Sequence, residues 1–144
     1  MRRAPLGPSG WLLVLRMGGW RLALPLLKRR VALDRLVPLV AAPRRRARDP
    51  GREALIARVG GRLWRSSEGP CLERSLAVHR QLGLAGAEPR LAIGVAKDGP
   101  AVVGHAWVVL DDRPLLEPAD PADTYGVAAV FDAHGHRLDP PSGD

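Results

Sequence analysis

From Glu53 onward the apolar positions change period along the chain. Leu55, Ile56, Val59 and Leu63 recur every three or four residues, which predicts a helix over Glu53–Trp64. Leu72, Leu76 and the carbon stem of His79 repeat the same spacing up to Gly83, and Pro70, which drives Gly69 away from helical geometry, sets the start of that second helix. Beyond Gly83 the period falls to two. Leu91, Ile93 and Val95 share a face of "RLAIGVAKDG", and Val103, His105, Trp107 and Val109 share a face of "AVVGHAWVVL". Asp98-Gly99-Pro100 makes the turn between these strands, and "RPLLEP" is a short return strand after Asp111-Asp112. Helices followed by an antiparallel meander predict an α+β fold.

The first third, "GWLLVLRMGGWRLALPLLKRRVALDRLVPLV", has a different pattern. Its apolar runs Trp11–Leu15 and Leu22–Leu27 are broken by Arg16 and Arg21, far short of the roughly 20 residues of a membrane span. The arginines also interrupt what would be the core of a signal peptide, and no small-residue cleavage site follows, so the expected compartment is the cytoplasm. Leu12, Leu15, Met17, Trp20, Leu22, Leu24 and Leu27 suit one or two amphipathic helices, interrupted at Gly18-Gly19 and Pro25. Such helices either pack on the domain's own core or offer a surface to a partner or to a membrane.

Charge sharpens this division. The net charge is +7, yet twelve of the 22 basic residues and only one of the 15 acidic ones (Asp34) lie in residues 1–48, so the remainder is net acidic. A basic helical segment, 1–48, therefore precedes a core, 49–144, that ends in a flexible tail. "PRRRARDPG", residues 43–51, marks the boundary. Arg44, Arg45, Arg46 and Arg48 read as a solvated linker rather than a nucleic-acid arm, because no aromatic residues interleave with them to stack on bases and no nucleic-acid motif follows.

An apolar fraction of 46% in 144 residues is enough for a real core, and the single cysteine, Cys71, cannot form an internal disulfide. A lone cysteine is ordinarily inert filler. Cys71, however, falls at a helix N-terminus, where the unpaired N–H groups favour a thiolate and point where an oxyanion would form in acyl transfer. Such a nucleophile needs a base, and His105 in the middle of an apolar strand, between Gly104 and Ala106, is the candidate. Reflecting position 105 about a hairpin centred on Asp111 gives Glu117, whose carboxylate would hold the imidazole Nδ1–H. Asp120 is the alternative if the strand breaks at Pro118. His79 reads as a helix-surface residue, and His134 and His136 as part of the tail, without the cysteines or paired acids of a metal site. No phosphate-binding loop or internal repeat occurs, and no cofactor is expected.

"CLERSLAVHRQLGLAG", "LAIGVAKDG", "GHAWVVL" and "PLLEP", in that order over about residues 53–120, resemble the transglutaminase-like cysteine protease of lasso-peptide biosynthesis, the leader peptidase that is often a separate small protein. The resemblance implies a papain-like or transglutaminase-like core in which Cys71 attacks a peptide carbonyl and His105 is the base. The family usually has an aspartate as third residue, where this chain has Glu117. It further implies a precursor peptide as substrate, a separately encoded leader-binding protein that delivers it, and a ring-forming synthetase acting on the released core. The same Cys-His pair would also serve an amidase or a transglutaminase, and a basic docking protein with a structural cysteine is the non-enzymatic alternative.

Overall fold

The computed structural model describes residues 6–41, 47–64 and 71–138. Helix α1 (Pro8–Arg30) opens on a proline, whose missing N–H is harmless in the first turn, and closes on Lys28, Arg29 and Arg30, which suit the negative end of a helix dipole. Gly18, Gly19 and Pro25, expected as interruptions, lie inside this one continuous helix. Pro25 removes a ladder hydrogen bond, but Leu13, Met17 and Leu24 are fully buried, and tertiary packing of this kind outweighs local propensity. Helix α2 (Leu33–Val40) buries Leu36, Val37 and Val40.

Helix α3 (Pro50–Leu63) begins earlier than the apolar spacing suggests because Asp49 caps it, accepting the Arg52 N–H at 3.0 Å with Pro50 in the first position. Pro50 and Gly51, the last two residues of the stretch read as a linker, therefore belong to α3, while Ala47, Arg48 and Asp49 before them are exposed. Arg44, Arg45 and Arg46 lie outside the described residues. The Arg48 guanidinium donates to both Glu53 oxygens at 2.9 Å and to both oxygens of Asp111. The paired carboxylates, Glu53 foremost, raise the pKa of Arg48, and Arg48 holds Asp111 below the usual carboxylate range. The Asp49 N–H donates to the Ala85 carbonyl at 3.1 Å.

Helix α4 (Cys71–Leu84) is followed by five strands: β1 (Arg90–Asp98), β2 (Ala101–Leu110), β3 (Arg113–Leu115), β4 (Gly126–Phe131) and β5 (Arg137–Leu138). They form one antiparallel sheet in the order β3-β2-β1-β4-β5. The meander expected from the alternation is β1–β3, and β4 and β5 extend the sheet beyond β1. The start of the expected flexible tail is therefore ordered: Asp132 accepts the N–H groups of His134 and His136, each at 2.9 Å, and Gly135 turns the chain at a φ of 82°. Residues 139–144 lie outside the described residues.

One apolar cluster joins Leu13, Met17 and Leu24 of α1, Leu36 and Val37 of α2, Ile56 and Val59 of α3, Leu76, Val78 and Leu82 of α4, and Leu91, Val108 and Phe131 of the sheet. Helix α4 is its axis, packed on the other three helices and on β1 and β2. The Lys28 ammonium reaches Glu73 at 2.9 Å, and Arg80 donates to the Val40 carbonyl at 2.8 Å while lying over the Trp20 ring, so polar contacts also tie α1 and α2 to α4. Among the described residues no helix is long and apolar enough to cross a membrane.

Candidate active site

The β2–β3 hairpin turns through Asp111 and Asp112, whose φ values of 51° and 61° match the twist of a two-residue loop. Its ladder pairs Leu110 with Arg113, Val109 with Pro114 and Val108 with Leu115, and goes no further. Beyond Val108 this edge of β2 is met by α4 instead: Ser75 Oγ donates to the Ala106 carbonyl at 3.0 Å. Cys71, Arg74 and Ser75 are spaced i, i+3 and i+4 and share a helix face, so the face carrying the cysteine is the one turned to the strand of His105. Cys71 is the first helical residue and partly exposed, beside the first-turn N–H groups, which have no partner within the helix itself. Among the described residues its sulfur makes no hydrogen bond to the imidazole.

Glu117 reaches His105 by a route different from the one the sequence suggests. The ladder is centred between Asp111 and Asp112 and ends before His105. Leu116 then takes a left-handed φ of 59°, which turns the chain, and Glu117 Oε1 meets His105 Nε2 at 2.9 Å. The nitrogen held by the carboxylate is Nε2 rather than the expected Nδ1, so with Nε2–H donating, Nδ1 is left with its lone pair. Asp120 is engaged elsewhere: it accepts the Ala122 N–H at 3.0 Å and caps the short 3₁₀ turn Pro121–Asp123.

Further side chains, unremarked in the sequence, complete the arrangement. Arg74 Nη2 donates to the same Glu117 Oε1 at 2.8 Å, and Arg74 and Glu117 are both largely buried, with side-chain exposures of 12% and 8%. Two donors, one from α4 and one from β2, thus converge on a single carboxylate oxygen. The place of Arg74 three residues after Cys71 is the signal that could have marked it. The His105 ring lies between Tyr125, at 5.1 Å between centroids, and Trp107, at 5.9 Å, both near parallel to it. Gly94 sits opposite His105 in the β1–β2 register, and a Cβ there would stand 2.8 Å from Tyr125 Cβ and 3.1 Å from the Trp107 ring. The missing side chain thus makes room for the stack, and a glycine inside a strand is its sequence signature. Tyr125 comes from an irregular segment and carries no such signature.

The other histidines stand apart. His79, expected on the helix surface, is 1% exposed and donates from Nε2 to the Asp132 carbonyl at 2.8 Å. Burial lowers its pKa. His134 and His136 flank the Asp132 turn, and among the described residues no group of three or more His, Cys, Asp and Glu is arranged to hold a metal. A cleft lined by Arg48, Glu88, Arg90, Val109 and Asp111 opens at the hairpin end of β2 and holds no nucleophile.

A helix headed by cysteine, packed on an antiparallel sheet whose second strand carries a histidine bound to a carboxylate, is a family-level arrangement. The model of the transglutaminase-like superfamily matches residues 13–130, from within α1 to near the end of β4. The chain belongs to that superfamily. Transglutaminase-like proteins include cysteine peptidases and acyl-transferases and are usually enzymes. No curated protein and no solved structure matches the chain. In this transglutaminase-like chain the matched span takes in most of α1, all of α2 and the strands β1 to β4 short of Phe131, in keeping with their shared core.

Proposed function

We propose that this transglutaminase-like protein is a cytoplasmic cysteine peptidase that removes the leader peptide from a ribosomally made lasso-peptide precursor, with Cys71, His105 and Glu117 as its triad. The observation that carries the reading is the 2.9 Å bond from His105 Nε2 to Glu117 Oε1, which fixes the tautomer with a basic Nδ1. Nδ1 takes the Cys71 proton as the sulfur adds to the scissile carbonyl. The N–H groups at the head of α4 receive the developing oxyanion. The imidazolium, stabilised by Glu117, then protonates the departing amine, leaving a thioester on Cys71. Water adds to the thioester with Nδ1 as base, and the leader's new carboxylate and the free thiol are released. A separate leader-binding protein delivers the precursor, and a ring-forming synthetase takes the freed core peptide.

The test is incubation of the full chain with a precursor peptide and its leader-binding protein, followed by mass spectrometry. Expected is one cut, with the mass of one water added across the two fragments, absent for Cys71→Ala. Intact precursor with a folded wild-type protein, or the same cut by Cys71→Ala, overturns the peptidase assignment. Loss of ammonia from a glutamine side chain without chain cleavage assigns the same cysteine to amidase or transglutaminase chemistry instead.

A further inference from the structure

Helix α1 is apolar on two opposite faces. The inner face buries Leu13, Met17 and Leu24 completely. On the outer face Trp11, Leu15, Leu22 and Leu26 recur at helical spacing and are 61%, 72%, 79% and 61% exposed, with Leu12 beside them at 48%. The positions that complete this stripe, Gly18 and Gly19, have nothing of this chain within 4 Å of where a Cβ would stand. The stripe runs from Trp11 to Leu26, ~22 Å at ~1.5 Å per residue, without a charge in it. Contiguous apolar surface on this scale marks a contact that lies outside the chain.

The charges around the stripe indicate what covers it. Exposed Arg16 and Arg21 fall on the two seams between the faces, and exposed Arg29 and Arg30 follow Leu26 at the C-terminal end. No acidic residue occurs anywhere in α1. A second copy laid on this face would bring arginines towards arginines with no carboxylate on either helix to answer them. A layer of anionic headgroups over acyl chains supplies both complements at once: hydrocarbon for the leucines, negative charge for the seams, and an interfacial level suited to Trp11.

We propose that the outer face of α1 seats the protein on an anionic membrane surface, lying in the interface without crossing it. The proposal does not rest on the peptidase reading. Its test is flotation of the full chain with vesicles of equal parts phosphatidylcholine and phosphatidylglycerol, beside vesicles of phosphatidylcholine alone. Expected is flotation with the anionic vesicles only. That binding weakens as salt rises, and falls about tenfold or more in Leu15→Asp/Leu22→Asp and in Arg16→Gln/Arg21→Gln. Both pairs are solvent-facing, and thermal unfolding monitored by circular dichroism checks that each variant keeps its fold. A measurement that needs no charged substitution accompanies it: anionic vesicles with brominated acyl chains quench tryptophan fluorescence in the wild type, and Trp11→Phe loses that quenching. Absence of flotation and of quenching at low salt overturns the proposal. So does a wild-type dimer that Leu15→Asp/Leu22→Asp dissociates, which would make a second copy the occupant.

Discussion

Arg74 and His105 donate to the same oxygen of Glu117, at 2.8 Å and 2.9 Å, one from the helix that Cys71 begins and the other from the second strand. The carboxylate is therefore a junction between α4 and β2 as well as a partner for the imidazole. Arg74→Met should lower kcat/KM about 10- to 100-fold, the loss expected for a charged hydrogen bond of ~1.5–3 kcal/mol. Arg74→Lys should restore part of the rate. Steady-state cleavage by the three proteins checks it.

His105→Ala should be as damaging as loss of Cys71, on the order of a millionfold. Glu117→Gln keeps the shape but not the charge and should retain a measurable rate, as much as about 10⁴-fold below wild type. Asp120→Asn should cleave normally, since its carboxylate is occupied with the Ala122 N–H. Quantified cleavage by the three variants decides the matter: a silent Glu117→Gln beside an inactive Asp120→Asn would transfer the role to Asp120.

At Gly94 an added methyl has no free space, because Tyr125 Cβ, the Gly126 carbonyl and the Trp107 ring all stand within 3.1 Å of it. Gly94→Ala should destabilise the fold by ~1–3 kcal/mol through overpacking and should lower activity through the displaced His105 stack. Urea unfolding gives the first effect and cleavage at a temperature where the variant is folded gives the second.

Stability should fall as pH drops below about 6.5. Burial lowers the folded-state pKa of His79, so the unfolded chain takes up its proton first. Its contribution is fully present above the unfolded value of ~6.5 and declines towards the lower folded value, with a slope of at most ~1.4 kcal/mol per pH unit. Urea midpoints between pH 8 and pH 5 should show this decline, and His79→Gln should flatten it.

The parts of the fold legible in the sequence are those set by local rules. The period of Leu72, Leu76 and His79 gives α4, and the alternation around His105 gives β2, because each pattern reports a surface that must be buried. Asp49 hides the true start of α3 from an apolar count, since a cap is polar by nature. The continuity of α1 through Gly18, Gly19 and Pro25 is set by packing of Leu13, Met17 and Leu24 against distant elements, which no local window contains. Strand β4 owes its existence to β1 on one side and β5 on the other, again a long-range matter. In the site, hairpin symmetry leads to Glu117, whereas the contact is made by a single left-handed residue after the ladder has ended.

That residue, Leu116, has a consequence for how the protein can change over time. Glu117 is aimed by a count of residues past Leu115, so the spacing there constrains the lineage more than the identity of the strand does. One residue gained or lost between Leu115 and Glu117 should swing the carboxylate away from both Arg74 and His105 and so part α4 from β2 at this point.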